Sequence, residues 1–404
     1  MKRRDFVGLT SAGMVLTLAG FPVFAQQDQS GLVGTPKQRQ EYTLNLLRKL
    51  CTEIGPRPSG SKSFAKGAKI IKQEMKRSLP YVGYDTYDFE KWELIRDPEF
   101  LIGGQRIEAV PAYGEEGTSI VGMKGFIQKS NSGFIIVDEL SGKPAASITI
   151  SPYGKAITHY QGRTSGNTIP SFSIGKQDKP LLESAVKNRT QAWVKFPTRF
   201  IPGAKGCNIV GKLPGKRKDE ILFLAHADTV YNSPGANDNT ASVILMMMLA
   251  HSAATSNYNH TLTFVATDNE EFGYFGANHY AEKCIADDTM QNIRFVINLD
   301  SLTYGNNLWI SSKQEQIKDI LKKIHKDLNI DSAPIFDSSD GFVMDSEPFR
   351  PSGAQALHAN SRGYDEKTLP VYHRPDDTAD TVPLDSVENS FLVFDEFLRR
   401  IDKI

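Results

Sequence analysis

Three strand-like runs constrain this chain more than anything else in it: Ile221–Ala225, Thr261–Ala266 and Ile293–Leu299. The first is apolar throughout, without alternation, as in a strand buried on both faces. Helical stretches separate the runs, a strongly apolar one over Thr240–Ala254 and another over Tyr274–Cys284. A short strand at Leu308–Ser311, a helix near 314–328 and a last helix over about 384–402 continue the pattern. Repeated strand–helix units predict an α/β fold with a mostly parallel central sheet and helices on both faces.

The rest of the chain is organised around that unit. Tyr42, Leu44, Leu46, Leu47 and Leu50 mark a helix that stops before the turn chemistry of Ile54–Ser61 (IGPRPSGS), and a second helix fits 63–78. From 95 to 200 the texture changes to short β-rich runs, Gly133–Val137, Ala146–Ile150 and Gln191–Phe196, separated by Gly, Ser and Pro. This predicts a small β-rich module inserted into the α/β domain, which is then formed by 39–94 and 201–404.

The N-terminus reads as an address. Arg3-Arg4 precedes an uncharged stretch from Phe6 to Ala25 that ends in a small-residue cleavage pattern. Residues 1–25 are therefore expected to be an export signal of twin-arginine type, followed by a flexible leader over 26–38. The mature chain is then periplasmic or secreted, with no membrane segment of its own. Lys plus Arg and Asp plus Glu both count 47, so the basic excess of a nucleic-acid binder is missing and no nucleic-acid partner is expected. Cys51, Cys207 and Cys284 contain no CxxC pair, which excludes a disulfide scaffold and a zinc ribbon.

In a sheet of this kind, sites form beyond the carboxyl ends of the strands. The first run is followed by His226 and Asp228, the second by Glu270 and Glu271, the third by Asp300. Asp238 lies in a tight loop, Pro234–Asn239, and His373 in a C-terminal YHRPDDT string. Two imidazoles with several carboxylates suit zinc or a similar divalent ion. Asp238, Glu271 and Asp300 with one hydroxide would balance two divalent cations, and Asp238 is placed to bridge them. Glu270 and Glu271 leave their strand pointing different ways, so one can bind metal while the other acts as a general base. Asp228 can orient the His226 imidazole. His159, His251, His260, His279, His325 and His358 read as ordinary structural histidines.

These strings, HADTV, PGANDNTAS, DNEEFGYFGA, INLDS and YHRPDDT, resemble the co-catalytic zinc aminopeptidase family and stand in that family's order. The likeness covers 40–94 and 201–404, and the 95–200 module is faintly similar to a protease-associated domain. The resemblance implies His226 and Asp300 on one zinc, Glu271 and His373 on the other, and Asp238 between them. It makes Glu270 the general base toward a water shared by the ions. The expected protein is an exported di-zinc exopeptidase with a peptide substrate, most simply an aminopeptidase. The alternatives are a single-zinc acyltransferase like glutaminyl cyclase, a carboxypeptidase or dipeptidase of the same family, and a non-catalytic binding protein. Ser346 departs from the pattern, since many relatives carry a His there.

Overall fold

The structure, a computed structural model, describes residues 30–131, 133–159, 169–305, 307–361 and 371–404. The expected export signal at 1–25 lies outside the described residues. The leader expected over 26–38 is helical in its described part. Ser30–Val33 is one helical turn, and Pro36–Leu47 begins the next helix. A start signal overrode the polar composition. Thr35 and Gln38 form a capping box, and Pro36 takes a first-turn position where its missing N–H costs nothing.

The first sheet has eight strands in the order Tyr81–Leu94, Thr198–Leu213, Thr261–Thr267, Glu220–His226, Ile293–Leu299, Gln355–Asn360, Trp309–Ser311, Ile335–Phe336. The strands from Thr261–Thr267 to Gln355–Asn360 run parallel. Alternate residues of Glu220–His226 go to opposite faces. Ile221, Phe223 and Ala225 join the core under helices Ala241–Ala253 and Leu384–Ile401, while Leu222 and Leu224 face helix Phe275–Ala286. Every residue of this strand is buried, which is why its sequence shows no alternation. The chain leaves this strand for a neighbour on one side and later returns to its other side, so a crevice opens at its carboxyl end.

Four strands of this sheet escaped the sequence pattern, among them the two-residue Ile335–Phe336. Tyr81–Leu94 and Thr198–Leu213 form a long antiparallel ribbon, much of it exposed, so no apolar run marks them. Gln355–Asn360 is central yet reads QALHAN, without a β-branched residue; its buried His358 meets the Asn298 amide at 3.0 Å.

Strands between Glu99 and Lys195 build a second eight-stranded sheet, antiparallel except for one pair. Phe100, Ile136, Phe172 and Val194 pack there with Leu182 of helix Lys179–Asn188. The chain departs from the ribbon after Leu94 and re-enters at Thr198, and these two residues pair with each other.

Candidate metal centre

His226 is the last residue of its strand and stands opposite Thr267 in the neighbouring one. The next residues after Thr267 turn sharply, with Asn269 at φ +65, and deliver Glu270 and Glu271. Both of their N–H groups donate to the Asp228 carboxylate, Glu270 to Oδ1 at 3.1 Å and Glu271 to Oδ2 at 3.2 Å. This differs from the role expected of Asp228. Its carboxylate stays 3.7 Å from His226 Nδ1, but the imidazole's hydrogen bond runs to the Asp228 main-chain oxygen at 3.2 Å. The carboxylate is taken up by the two glutamate N–H groups, which leave an irregular turn and have no ladder partner.

Asp238 is presented by a loop with many long-range anchors. Gly235 sits at φ +61, where a side chain would meet Asp238 O and the Thr229 side chain, so only glycine fits. The buried Arg57 donates to Leu50 O, Ala227 O, Pro234 O and the Thr240 hydroxyl, which ties the HADTV and PGANDN strings together. Asp377 accepts from the main-chain N–H groups of Asn237 at 2.9 Å and Asp238 at 3.1 Å. Asn239 donates to Leu299 O and accepts from Ser301 N–H, which links the loop to the strand that ends at Asp300.

These elements place every expected ligand within reach of another. His226 Nε2 lies 3.2 Å from Asp238 Oδ1 and 3.7 Å from Asp300 Oδ1. His373 Nε2 lies 3.4 Å from Asp238 Oδ2 and 3.0 Å from Glu271 Oε2. Besides His226/Glu270/Glu271, two donor groups share Asp238, His226/Asp238/Asp300 and Asp238/Glu271/His373, all three with ligand atoms within 4.8 Å of one another. Asp238 gives one oxygen to each of its two groups. Glu270 approaches from the side, 3.9 Å from His226 Nε2. It keeps 10% of its side chain exposed, against 5% for Glu271 and 4% for Asp300, so it is the carboxylate most open to an incoming molecule.

The electrostatics fit a cation. Burial by itself would push the His226 and His373 imidazoles down, but the surrounding carboxylates, Glu270 first for His226 and Glu271 first for His373, hold both well above the ordinary range. Burial raises Glu270 well above the usual carboxylate range. Among the described residues, Asp238 and Glu271 find no ion-pair partner other than His226 and His373. Glu271 Oε1 is buried without a hydrogen-bond partner. Hard oxygen donors, two imidazoles and an uncompensated buried oxygen suit divalent zinc.

Several supporting residues gave no sequence signal as members of the site. Ser59 donates to Asp268 Oδ1 at 2.6 Å, and Asp268 Oδ2 accepts from Cys207 N–H at 2.8 Å. Asp345 is buried and bonds the Thr267 hydroxyl. Ser346 turns inward onto its own loop, accepting from Val343 N–H and donating to Gly341 O, so the departure at this position is absorbed locally. An aromatic group of Trp92, Tyr113, Tyr231 and Phe272 stands beside the glutamate turn. His159 lies closer to the site than an ordinary histidine would. Its Nε2 is buried without a partner, and burial, with the neighbouring His373, pushes it down to about 4.

The profile of peptidase family M28 matches residues 208–398. Aminopeptidase YwaD of Bacillus subtilis is 22% identical over 395 residues, spanning 87% of this chain and 82% of its own. A zinc aminopeptidase structure from Bacillus subtilis superposes with a TM-score of 0.70 at 19% identity, over 90% of this chain and 95% of that one. A peptidase M28 precursor from Shewanella amazonensis reaches a TM-score of 0.76 at 15% identity, over 93% and 96%. With the donor set at the strand ends, the profile match over residues 208–398 and this shared fold, the chain is similar to peptidase family M28, and together they support a zinc metallopeptidase.

Proposed function

We propose that the chain is an exported aminopeptidase that holds two zinc ions and removes residues from the free amino ends of peptides. The observation that carries the reading is Asp238, whose two oxygens face the two donor groups separately. His226 and Asp300 would complete one ion's ligands, Glu271 and His373 the other's. Bound there, the ions would supply Lewis acidity toward the scissile carbonyl and toward water. Glu270 takes the proton of the attacking water and passes it to the leaving amine. Its raised proton affinity, caused by burial, suits a group that must hold and then release a proton. Asp228 fixes the turn from which both glutamates extend. The aminopeptidases among the similar proteins support the choice of the amino end.

The second sheet is read as an insert that narrows access to the centre, and the mature chain as one that begins near Gln26 in the periplasm or outside the cell. The test compares free-amino with N-blocked peptides while metal content is measured on the same sample. Cleavage of free-amino peptides at two zincs per chain is expected. Equal cleavage of both peptide types would end the aminopeptidase assignment, and full activity at one zinc would point to the cyclase branch.

A further inference from the structure

Four of the five metal-donor residues sit at strand ends or in the loop beside them. His373 does not. It lies in an irregular turn at φ +52, and its placement depends on a segment of the second sheet's chain. His373 Nδ1 hydrogen-bonds Thr158 O at 2.8 Å, and Thr158 N–H donates back to His373 O at 3.2 Å. The bond to a carbonyl requires the proton on Nδ1, which leaves the Nε2 lone pair directed at Asp238 and Glu271. The next residue, Arg374, is buried and donates to Ala156 O at 2.5 Å. Its guanidinium also meets Asp376 at 3.1 Å and Glu108 at 3.6 Å.

The partner segment is itself held firmly. Ala156, Ile157 and Thr158 are buried. The Ser173 hydroxyl donates to Ile157 O, Tyr113 N–H donates to His159 O, and the Thr158 hydroxyl donates to Asn232. Ser173 belongs to strand Ser171–Ile174 of the second sheet. An unbroken set of hydrogen bonds therefore runs from that sheet through 156–158 to the imidazole.

We infer that the 155–159 segment and Arg374 position His373, so the second sheet is a structural part of one of the two ion sites as well as a wall around it. The inference rests on the two-ion reading above. Arg374 acts here as a positioning residue. Its contacts go to Ala156 O, Asp376 and Glu108 rather than to a donor residue, and it locks the turn onto Ala156 through a planar fork that a lysine cannot reproduce.

The test is stepwise zinc uptake by the chelator-stripped chain, read as two affinities. In Arg374→Ala the affinity of one site should fall about 10–100-fold while the other is unchanged, the range seen when a group orienting a metal-bound histidine is removed. Arg374→Lys should recover only part of the loss. Amide exchange on the unmodified chain gives a check that needs no variant: zinc should slow exchange at 155–159 together with 371–378. A single ion bound by the unmodified chain would overturn the two-ion reading and this inference with it. Two ions bound with the same two affinities in Arg374→Ala, or exchange at 155–159 indifferent to zinc, would overturn this inference alone.

Discussion

Glu270 and Glu271 are chemically identical neighbours, and the site separates them by direction. Glu271 Oε2 is 3.0 Å from His373 Nε2, inside one donor group, while the more open Glu270 stands 3.9 Å from His226 Nε2. Glu270→Gln should keep both ions and lower turnover by at least about 10²–10⁴-fold, the usual worth of a general base. Glu271→Gln should weaken one ion and regain part of its activity in excess zinc. Parallel kinetics and metal analysis of the two variants check this, and metal loss in the Glu270 variant would reverse the assignment. Asp377 offers a further single-residue test. It accepts the N–H groups of Asn237 and Asp238 from beneath the loop. In Asp377→Ala those buried donors lose their acceptor, at about 1–3 kcal/mol each at most. Denaturant unfolding should show lower stability, and, if Asp238 serves both ions as proposed, zinc titration should show weaker uptake at both sites.

Helix Ala241–Ala253 lies against Pro36–Leu47, and beside a long Thr43 hydroxyl contact to the Met248 sulfur a buried tyrosine–histidine pair crosses between them. The Tyr42 hydroxyl meets His251 Nε2 at 2.9 Å, and His251 Nδ1 is buried without a partner. Burial, with the charge of Arg77 adding to it, pushes His251 down to about 4. In the unfolded chain it titrates near 6.5, so between about 4 and 6.5 the unfolded state binds more protons and stability rises with pH. The contribution is complete above about 6.5 and lost as pH falls through that window, about 3 kcal/mol in all. Urea unfolding at pH 7.5 and pH 4.5 should show a smaller acid-side loss for His251→Phe than for the unmodified chain. These helices also show which elements were legible. Ala241–Ala253 and Glu220–His226 follow from local pattern, since nearly uniform burial leaves a nearly uniform apolar sequence. Gln355–Asn360 is as deeply placed, yet its stability comes from neighbours on both edges and a buried polar pair, which no local pattern records.

At the scale of the molecule, the metal centre gathers segments far apart in the chain: the ends of three strands, the Asp238 loop and the C-terminal turn. A ligand that binds the folded chain alone stabilises it by mass action. Chelation should therefore lower the thermal midpoint, and stoichiometric zinc should restore it. A midpoint indifferent to chelator would speak against ions held across these segments. The gathering of candidate donors at one edge of the sheet was legible in the sequence alone. A buried strand announces itself by composition, and the residue after it occupies the sheet edge where the fold opens, so His226, Glu270, Glu271 and Asp300 could be named from spacing. The tertiary structure decided what depends on contacts between residues far apart in the chain. It sent the Asp228 carboxylate to two N–H groups, set Asp377 and Arg57 under the Asp238 loop, and anchored His373 on Thr158. Such contacts are sealed by main-chain atoms and single buried side chains, groups that every sequence contains, so only their positions in space give them a role.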